Sequence, residues 1–173
     1  MILTRLDSRA VYRMHTPKWA VSPMSGAGAA SFGGRANRPG VPALYLALEV
    51  DTAVREYQQV STLLPPGTLV SYEVTLGRVV DFQSGFTGAN WDALWEDFQC
   101  DWRQLWFDQR VEPPSWVIGD EVIAAGAAGI LFPSRVAAGG TNLVVYLDSL
   151  APTDTVAVFD PGQALPKNQD SWK

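Results

Sequence analysis

Between Pro42 and Glu49 the chain reads Ala43-Leu44-Tyr45-Leu46-Ala47-Leu48, six apolar residues closed off by a proline on one side and a carboxylate on the other. A run this short, bounded this way, is a buried strand rather than a helix. Side chains alternate along a strand, so Leu44, Leu46 and Leu48 form one face and Ala43, Tyr45 and Ala47 the other. The leucine face belongs to a core. The opposite face holds one ring between two alanines, which leaves space beside it for a flat ligand to stack or for a helix to pack closely. Periodicity does not choose between the two.

The remaining elements follow the same punctuation. Ala10–His15 reads as a first strand, and Thr16–Gly34, rich in Gly, Ser and Pro, as a loop. Its G-A-G-A-A-S lacks the third glycine of a dinucleotide fingerprint and neither follows a clean strand nor opens an amphipathic helix, which excludes a Rossmann reading. Asp51 or Thr52 is placed to cap a helix running to about Val60. Gly67–Leu76 reads as a strand ended by Gly77. Trp91, Trp95, Phe98, Trp102 and Leu105 or Trp106 recur at the spacing of one helix face, the signature of core or partner interface. The residues from Pro113 to Gly129 suggest a second helix, with proline at its start and glycine at its end. I-L-F, N-L-V-V-Y-L and T-V-A-V-F read as three more short strands. Strands that appear singly, with two helices inserted in the middle, do not make a regular βαβ repeat. The expectation is a single α+β domain over residues 1–160, built on a mixed or antiparallel sheet, with a polar tail at 161–173.

A chain of 173 residues with 47% hydrophobic content can bury roughly 70% of its unfolded surface without disulfides or metals. One histidine and one cysteine cannot supply the three or four N/S ligands of a zinc site. Cys100 has no partner for an internal bridge, and the charged first fifteen residues lack the apolar centre of a signal peptide, which places the protein in the cytoplasm. No apolar run approaches the ~20 residues needed to span a bilayer. With 13 basic against 18 acidic residues and a pI near 4.7, a nucleic-acid-binding face is not expected. An anionic ligand would have to be held by a few local arginines.

Such arginines stand just before the Tyr45 strand. Arg35 and Arg38 lie among Gly33, Gly34 and Gly40, where main-chain amides can come close to a ligand and a guanidinium fork can bond two oxygens of a diphosphate. The plain alternative is an exposed arginine on a turn. Glu56 falls in the second turn of the following helix, on the side of Thr52, Ala53 and Val60, where a carboxylate on a half-apolar face is a candidate for catalysis. Arg13 and His15 share one side of the first strand. Two rival readings stand beside ligand chemistry at these residues: a sugar or nucleoside hydrolase with a carboxylate pair drawn from Glu49, Asp51 and Glu56, and a non-catalytic module that docks a partner on its tryptophan-lined helix.

Tyr12-Arg13, Gly33-Gly34-Arg35-Ala36-Asn37, Gly40, Tyr45, Glu56, Ile118-Gly-Asp-Glu-Val122, Phe132-Pro-Ser134 and Thr141-Asn142 together resemble the RES domain family, the toxin half of a bacterial toxin-antitoxin pair. The resemblance runs from about residue 10 to residue 147; Ala36 stands where an aromatic is usual, and the Trp-rich segment is longer than in compact members. It implies a fold like that of ADP-ribosyltransferases and cleavage of the nicotinamide-ribose bond of NAD, with ADP-ribose passed to water, phosphate or a protein. It implies a hetero-oligomer with a cognate Xre-like antitoxin, for which the apolar area around Trp116 and Trp172 offers one surface. Residue by residue, Glu56 would stabilise the charge on the ribose and Tyr45 would stack on nicotinamide. Arg35 would bind the diphosphate or its ribose, and Arg13 would be a second anchor. Ser134 and Asn142 would bond the ligand or support Glu56.

Overall fold

The structure of the protein, a computed structural model, describes residues 1–59 and 61–170. Its strands are β1 (Leu3–His15), β2 (Ala43–Ala47), β3 (Thr68–Asp81), β4 (Gly129–Pro133), β5 (Thr141–Tyr146) and β6 (Thr155–Val158). Its α-helices are α1 (Ala27–Phe32), α2 (Val50–Gln58) and α3 (Pro114–Ala124). The strand order is β1-β2-β5-β4-β3-β6, and β1 also pairs with β3, so five strands follow one another round to the starting strand. Only β3 and β4 run parallel, as a mixed sheet in an α+β fold requires.

The alternation in β2 separates two cores. Leu44 and Leu46 join Val11, Val70, Tyr72, Leu131, Leu143 and Val145 on the side enclosed by the strands. Ala43 joins Phe132, Val144 and Tyr146 on the other, beneath Ile118 and Val122 of α3 and the rings of Phe82, Trp91, Trp95 and Phe98. Each such leucine or valine withdrawn from water contributes about 1.5–3 kcal/mol, so a one-residue slip of β2, which would exchange its faces, is strongly disfavoured. Both α1 and α2 lie against β2, and Ala43 and Ala47 are 1% and 2% exposed. The small residues beside Tyr45 make room for helices.

Several elements depart from the sequence expectation. β1 begins at Leu3 and not at Ala10; its first half is exposed and is held by main-chain pairing with β3, with shifts of register on either side of Leu6, so no side-chain alternation announces it. β3 passes through Gly77 to Asp81, because the Gly77 amide is bonded by Asp154 Oδ1 at 2.7 Å and the chain beyond it pairs with β4. The stretch Thr16–Gly34 contains a 3-10 turn at Pro17–Trp19 and the helix α1, whose Ala, Gly and Ser carry no apolar period. α1 is fastened from outside, by Gly40 N on Ala30 O at 2.7 Å and Asn37 Nδ2 on Ala29 O at 3.0 Å.

α2 starts at Val50, one turn position before the expected caps, with Glu49 preceding it. The Glu49 carboxylate takes the Thr52 hydroxyl at 2.7 Å and Thr141 N at 3.0 Å, so it ties the helix start to β5. The expected end of α2 at Val60 lies outside the described residues. The tryptophan-rich segment is two pieces, a 3-10 helix at Ala93–Gln99 and a π-helical turn at Gln104–Asp108, separated by extended backbone at Cys100. Asp92 accepts from Leu94 N at 2.9 Å and Asp101 from Gln104 N at 3.1 Å. Two aspartates that bond their own downstream amides start two short helical turns where one helix was expected. The stripe is core all the same: Trp91, Trp95 and Phe98 surround Phe82 at ring separations of 4.8–5.2 Å, and Trp102 and Trp106 meet Trp116. Residues 161–170 form no regular element, but Asp160 accepts from the amides of Ala164 and Leu165, and Leu165 packs on the enclosed core. No helix among the described residues is long and apolar enough to cross a membrane.

Candidate functional site

Glu56 projects from the second turn of α2 and is half-buried. Its Oε1 accepts from Ser134 Oγ at 2.7 Å and from Asn142 Nδ2 at 2.5 Å, while Oε2 accepts, among the described residues, from the Gln59 amide at 3.4 Å. Ser134 ends the chain's exit from β4. Its Oγ accepts from Val136 N at 3.2 Å and Ala137 N at 3.0 Å, which leaves its hydrogen to point at Glu56. Asn142, second residue of β5, lies opposite Ala47 of β2 and Phe132 of β4. Across β2, Ala47 lies opposite Tyr12 of β1, so Tyr12, Ala47 and Asn142 form one row on the face that α2 covers. Ser134 and Asn142, which the sequence offered as ligand donors or supports, are brought to the Glu56 carboxylate.

Tyr45 sits on the same face of β2, and its hydroxyl donates to Asn37 Oδ1 at 2.7 Å and accepts from Ala36 N at 2.9 Å. Burial raises its pKa from the ordinary phenol value, so it stays a neutral donor. Asn37 Nδ2 in turn bonds the carbonyls of Ala29, Arg38 and Val41 at 3.0–3.1 Å. Asn37 is therefore the hub of the Gly33–Val41 loop, a role that the sequence reading missed; an asparagine in a glycine-rich turn was the available signal. Two main-chain amides expected to face a ligand are occupied, Ala36 N by Tyr45 and Gly34 N by Asn37 O at 2.9 Å. Ala36 itself is fully buried, and its carbonyl accepts from Tyr146 Oη at 2.7 Å.

Arg35 leaves this loop toward the tryptophan-rich segment, where Nη1 donates to Cys100 O at 2.8 Å and Phe98 O at 3.4 Å. Burial and then the positive charge of Arg135 lower its pKa, against the opposing effects of Cys100, Tyr45 and Glu56. Arg135 donates to Gln99 O at 3.0 Å. Arg38 is not available to a ligand, because it is paired with Glu112 at 2.6 Å and with Asp120.

Arg13 is not part of the group around Glu56. It faces the same side as Val11 and His15 and lies opposite Val70 of β3. Its Nη1 is buried without a hydrogen-bond partner, and burial lowers its pKa. His15 Nε2 lies 2.7 Å from Tyr72 Oη, whose hydrogen goes to Pro23 O at 2.9 Å. Burial and the Arg13 charge push His15 down to about 4, so it is a neutral core residue that donates through Nε2.

Of the other candidate carboxylates, Glu49 is engaged at the start of α2 and Asp51 pairs with Arg55 at 2.8 Å. Trp116 is 1% exposed and its Nε1 bonds Gly34 O at 2.7 Å, so it offers no surface to a partner; Trp172 lies outside the described residues. Among the described residues no three His, Cys, Asp or Glu side chains cluster to hold a metal. Two open hollows of about 370 and 330 Å3, one between Arg38, Trp106 and Trp116 and one along Thr4–Arg9, do not include Glu56.

The family model of the RES domain matches residues 10–168. Among curated proteins the comparison finds no match. Among solved structures, a chain in the crystal structure of the M. tuberculosis MbcT-MbcA toxin-antitoxin complex is similar in fold, with a TM-score of 0.58 and 22% identity, over 91% of this chain and 85% of that one.

Proposed function

Since the chain belongs to the RES domain family, we propose that it is the toxin of a toxin-antitoxin pair and acts on NAD, breaking the bond between nicotinamide and ribose. The observation that carries this reading is the convergence of Ser134 and Asn142 on one oxygen of Glu56, in a neighbourhood that also holds Arg35. A carboxylate held this way, with its second oxygen bound only by the long bond from Gln59, suits a reaction that develops positive charge.

In that reaction the glycosidic C–N bond breaks and its electron pair leaves with the pyridinium nitrogen, so nicotinamide departs neutral and the charge passes to the ribose. Glu56 lies closest in kind to what the transition state needs, a fixed negative charge that does not have to reorient. An acceptor hydroxyl or phosphate then adds to the ribose carbon and gives up its proton. Tyr45 supplies a ring whose position is set by Asn37, against which nicotinamide stacks. Arg35 holds the diphosphate or its adjoining ribose. Arg13, which the resemblance offers as a second anchor, lies on the other face of β1 with Val11 and His15 and takes no part in this group. Residues 1–160 carry this chemistry, and the polar segment from residue 161 takes no part in it. An Xre-like antitoxin covers the site in a hetero-oligomer; similarity in fold to a chain from a toxin-antitoxin complex supports such a partner.

The hydrolase reading gains nothing, since Glu49 and Asp51 are both bound elsewhere. The docking reading loses its surface, since Trp91, Trp95 and Trp102 are buried. The test is release of nicotinamide from NAD by the full chain freed of any partner, with Glu56→Gln alongside. Release that the variant loses supports the reading. Undiminished release by a folded Glu56→Gln removes Glu56 from the reaction, and no release with or without cell lysate as acceptor removes NAD.

A further inference from the structure

The segment Phe98-Gln99-Cys100 receives two guanidinium groups from different parts of the fold. Arg35 reaches it from the loop before β2 and bonds the carbonyls of Phe98 and Cys100; Arg135 reaches it from the turn after β4 and bonds the carbonyl between them, Gln99 O, at 3.0 Å. The Arg135 backbone is well placed for this. Ser134 N donates to Gly140 O at 2.8 Å, Gly140 N to Ala137 O at 3.0 Å, and Ser134 Oγ accepts from the amides of Val136 and Ala137. The residue that positions Glu56 therefore also fixes where its neighbour's side chain begins.

Neither arginine has a carboxylate. Among the described residues the ion pairs are Arg5 with Asp7, Arg38 with Glu112 and Asp120, and Arg55 with Asp51. Two like charges near enough for one to depress the pKa of the other hydrogen-bond to neutral carbonyls, and the Glu56 carboxylate acts on Arg35 only through space. Each guanidinium has five N–H donors and uses one nitrogen here, Arg135 being exposed. A group with two negative charges and several oxygens would neutralise both cations and accept their remaining donors.

We propose that Arg135 is a ligand-binding residue, which with Arg35 forms a two-guanidinium clamp for a diphosphate. This rests on the NAD reading for the identity of the ligand and extends it. The site then reads the diphosphate bridge of a dinucleotide at Arg35 and Arg135, while Glu56 acts at the ribose. Nicotinamide mononucleotide, with a single phosphate, fills only part of the clamp and is the poorer substrate.

The experiment compares the full chain with Arg135→Gln and Arg135→Lys. Calorimetry at low salt measures binding of ADP-ribose and of inorganic pyrophosphate, and steady-state nicotinamide release from NAD and from nicotinamide mononucleotide measures turnover. The expected result for Arg135→Gln is at least about ten-fold weaker binding of both diphosphates, the effect of losing a charge-assisted bond, and a similar rise in KM for NAD with kcat little changed. Its preference for NAD over the mononucleotide should shrink, and the Lys variant should recover part of the affinity, since it keeps the charge and loses the fork. Unchanged diphosphate binding and KM in Arg135→Gln overturn the clamp and leave NAD chemistry standing. Pyrophosphate binding that depends on Arg135, in a chain that releases no nicotinamide, supports the clamp and overturns NAD as its ligand. If the unaltered chain binds neither diphosphate, the clamp falls, and nicotinamide release alone decides the NAD reading.

Discussion

Asn142 donates to Glu56 Oε1 at 2.5 Å, the same oxygen on which the Ser134 hydroxyl falls at 2.7 Å. One oxygen of the carboxylate is thus fixed from β5 and from the turn after β4, while Oε2 is held only by the long bond from Gln59. Orientation of this kind acts in the transition state more than in binding. Asn142→Ala and Ser134→Ala are each expected to lower kcat by about ten-fold or more with a smaller change in KM. Because both work through Glu56, adding either to Glu56→Gln should cost nothing further. Single-turnover nicotinamide release from NAD measures all five variants; a full additive loss in the double variants would mean that Ser134 or Asn142 acts on the ligand directly.

Tyr45 carries a second, structural duty. Its hydroxyl is the partner of Asn37 Oδ1 and of Ala36 N, and Asn37 is 1% exposed. Tyr45→Phe keeps the ring and strands a buried acceptor and a buried amide, which costs about 1–3 kcal/mol. Urea unfolding should show a lower midpoint at unchanged slope, and NAD turnover should fall along with the order of the Gly33–Val41 loop. A phenylalanine variant with full stability would mean that only the ring matters.

How far the sequence revealed this arrangement depended on whether a contact leaves a period behind. The alternation in β2 was legible because its two faces meet two different cores, and α3 was legible from the prolines that start it, although it stops at Ala124, short of the Gly129 expected to end it, which instead opens β4. The first half of β1 was not, since backbone pairing holds it and its side chains are exposed. The break at Cys100 was hidden because Trp91, Trp95, Phe98 and Trp102 keep helical spacing while Asp92 and Asp101 restart the chain. At the site, Glu56, Ser134 and Asn142 were named from motifs, but their meeting spans 78 and 86 residues, and no local pattern encodes it. Arg135 went unnoticed for the same reason: its significance lies in Arg35 and in three carbonyls that the sequence places elsewhere.

His15 predicts a pH dependence of stability. Its folded pKa, about 4, lies below the ordinary 6.5 because burial and Arg13 oppose the charged form. Between these values the unfolded chain binds the proton and the folded chain does not, so stability rises with pH there. The His15 contribution is complete above about pH 6.5, falls as the pH drops toward 4, and changes no further below that. Urea midpoints from pH 7.5 to 4 should decline in the native protein, and the decline should be shallower in His15→Gln, which keeps a donor for Tyr72 and does not titrate. Equal slopes in the two proteins would place the titrating group elsewhere.

Gly119 tests whether α3 and the Arg35 loop are pressed together as the structure has them. In a helix interior, exchanging glycine for alanine ordinarily stabilises by about 1 kcal/mol. Here a Cβ would overlap the Ala36 carbonyl oxygen, an oxygen already bound by Tyr146 Oη at 2.7 Å. The same helix holds Gly34 O through Trp116 Nε1, so the loop has no easy direction in which to yield. Overpacking of this sort costs about 1–3 kcal/mol and outweighs the propensity gain, so Gly119→Ala should be less stable in urea. Because Arg35 and the Tyr45 bond to Ala36 ride on the displaced loop, binding of ADP-ribose should weaken in parallel. A stabilised Gly119→Ala would show that helix propensity prevails and that α3 stands farther from the loop.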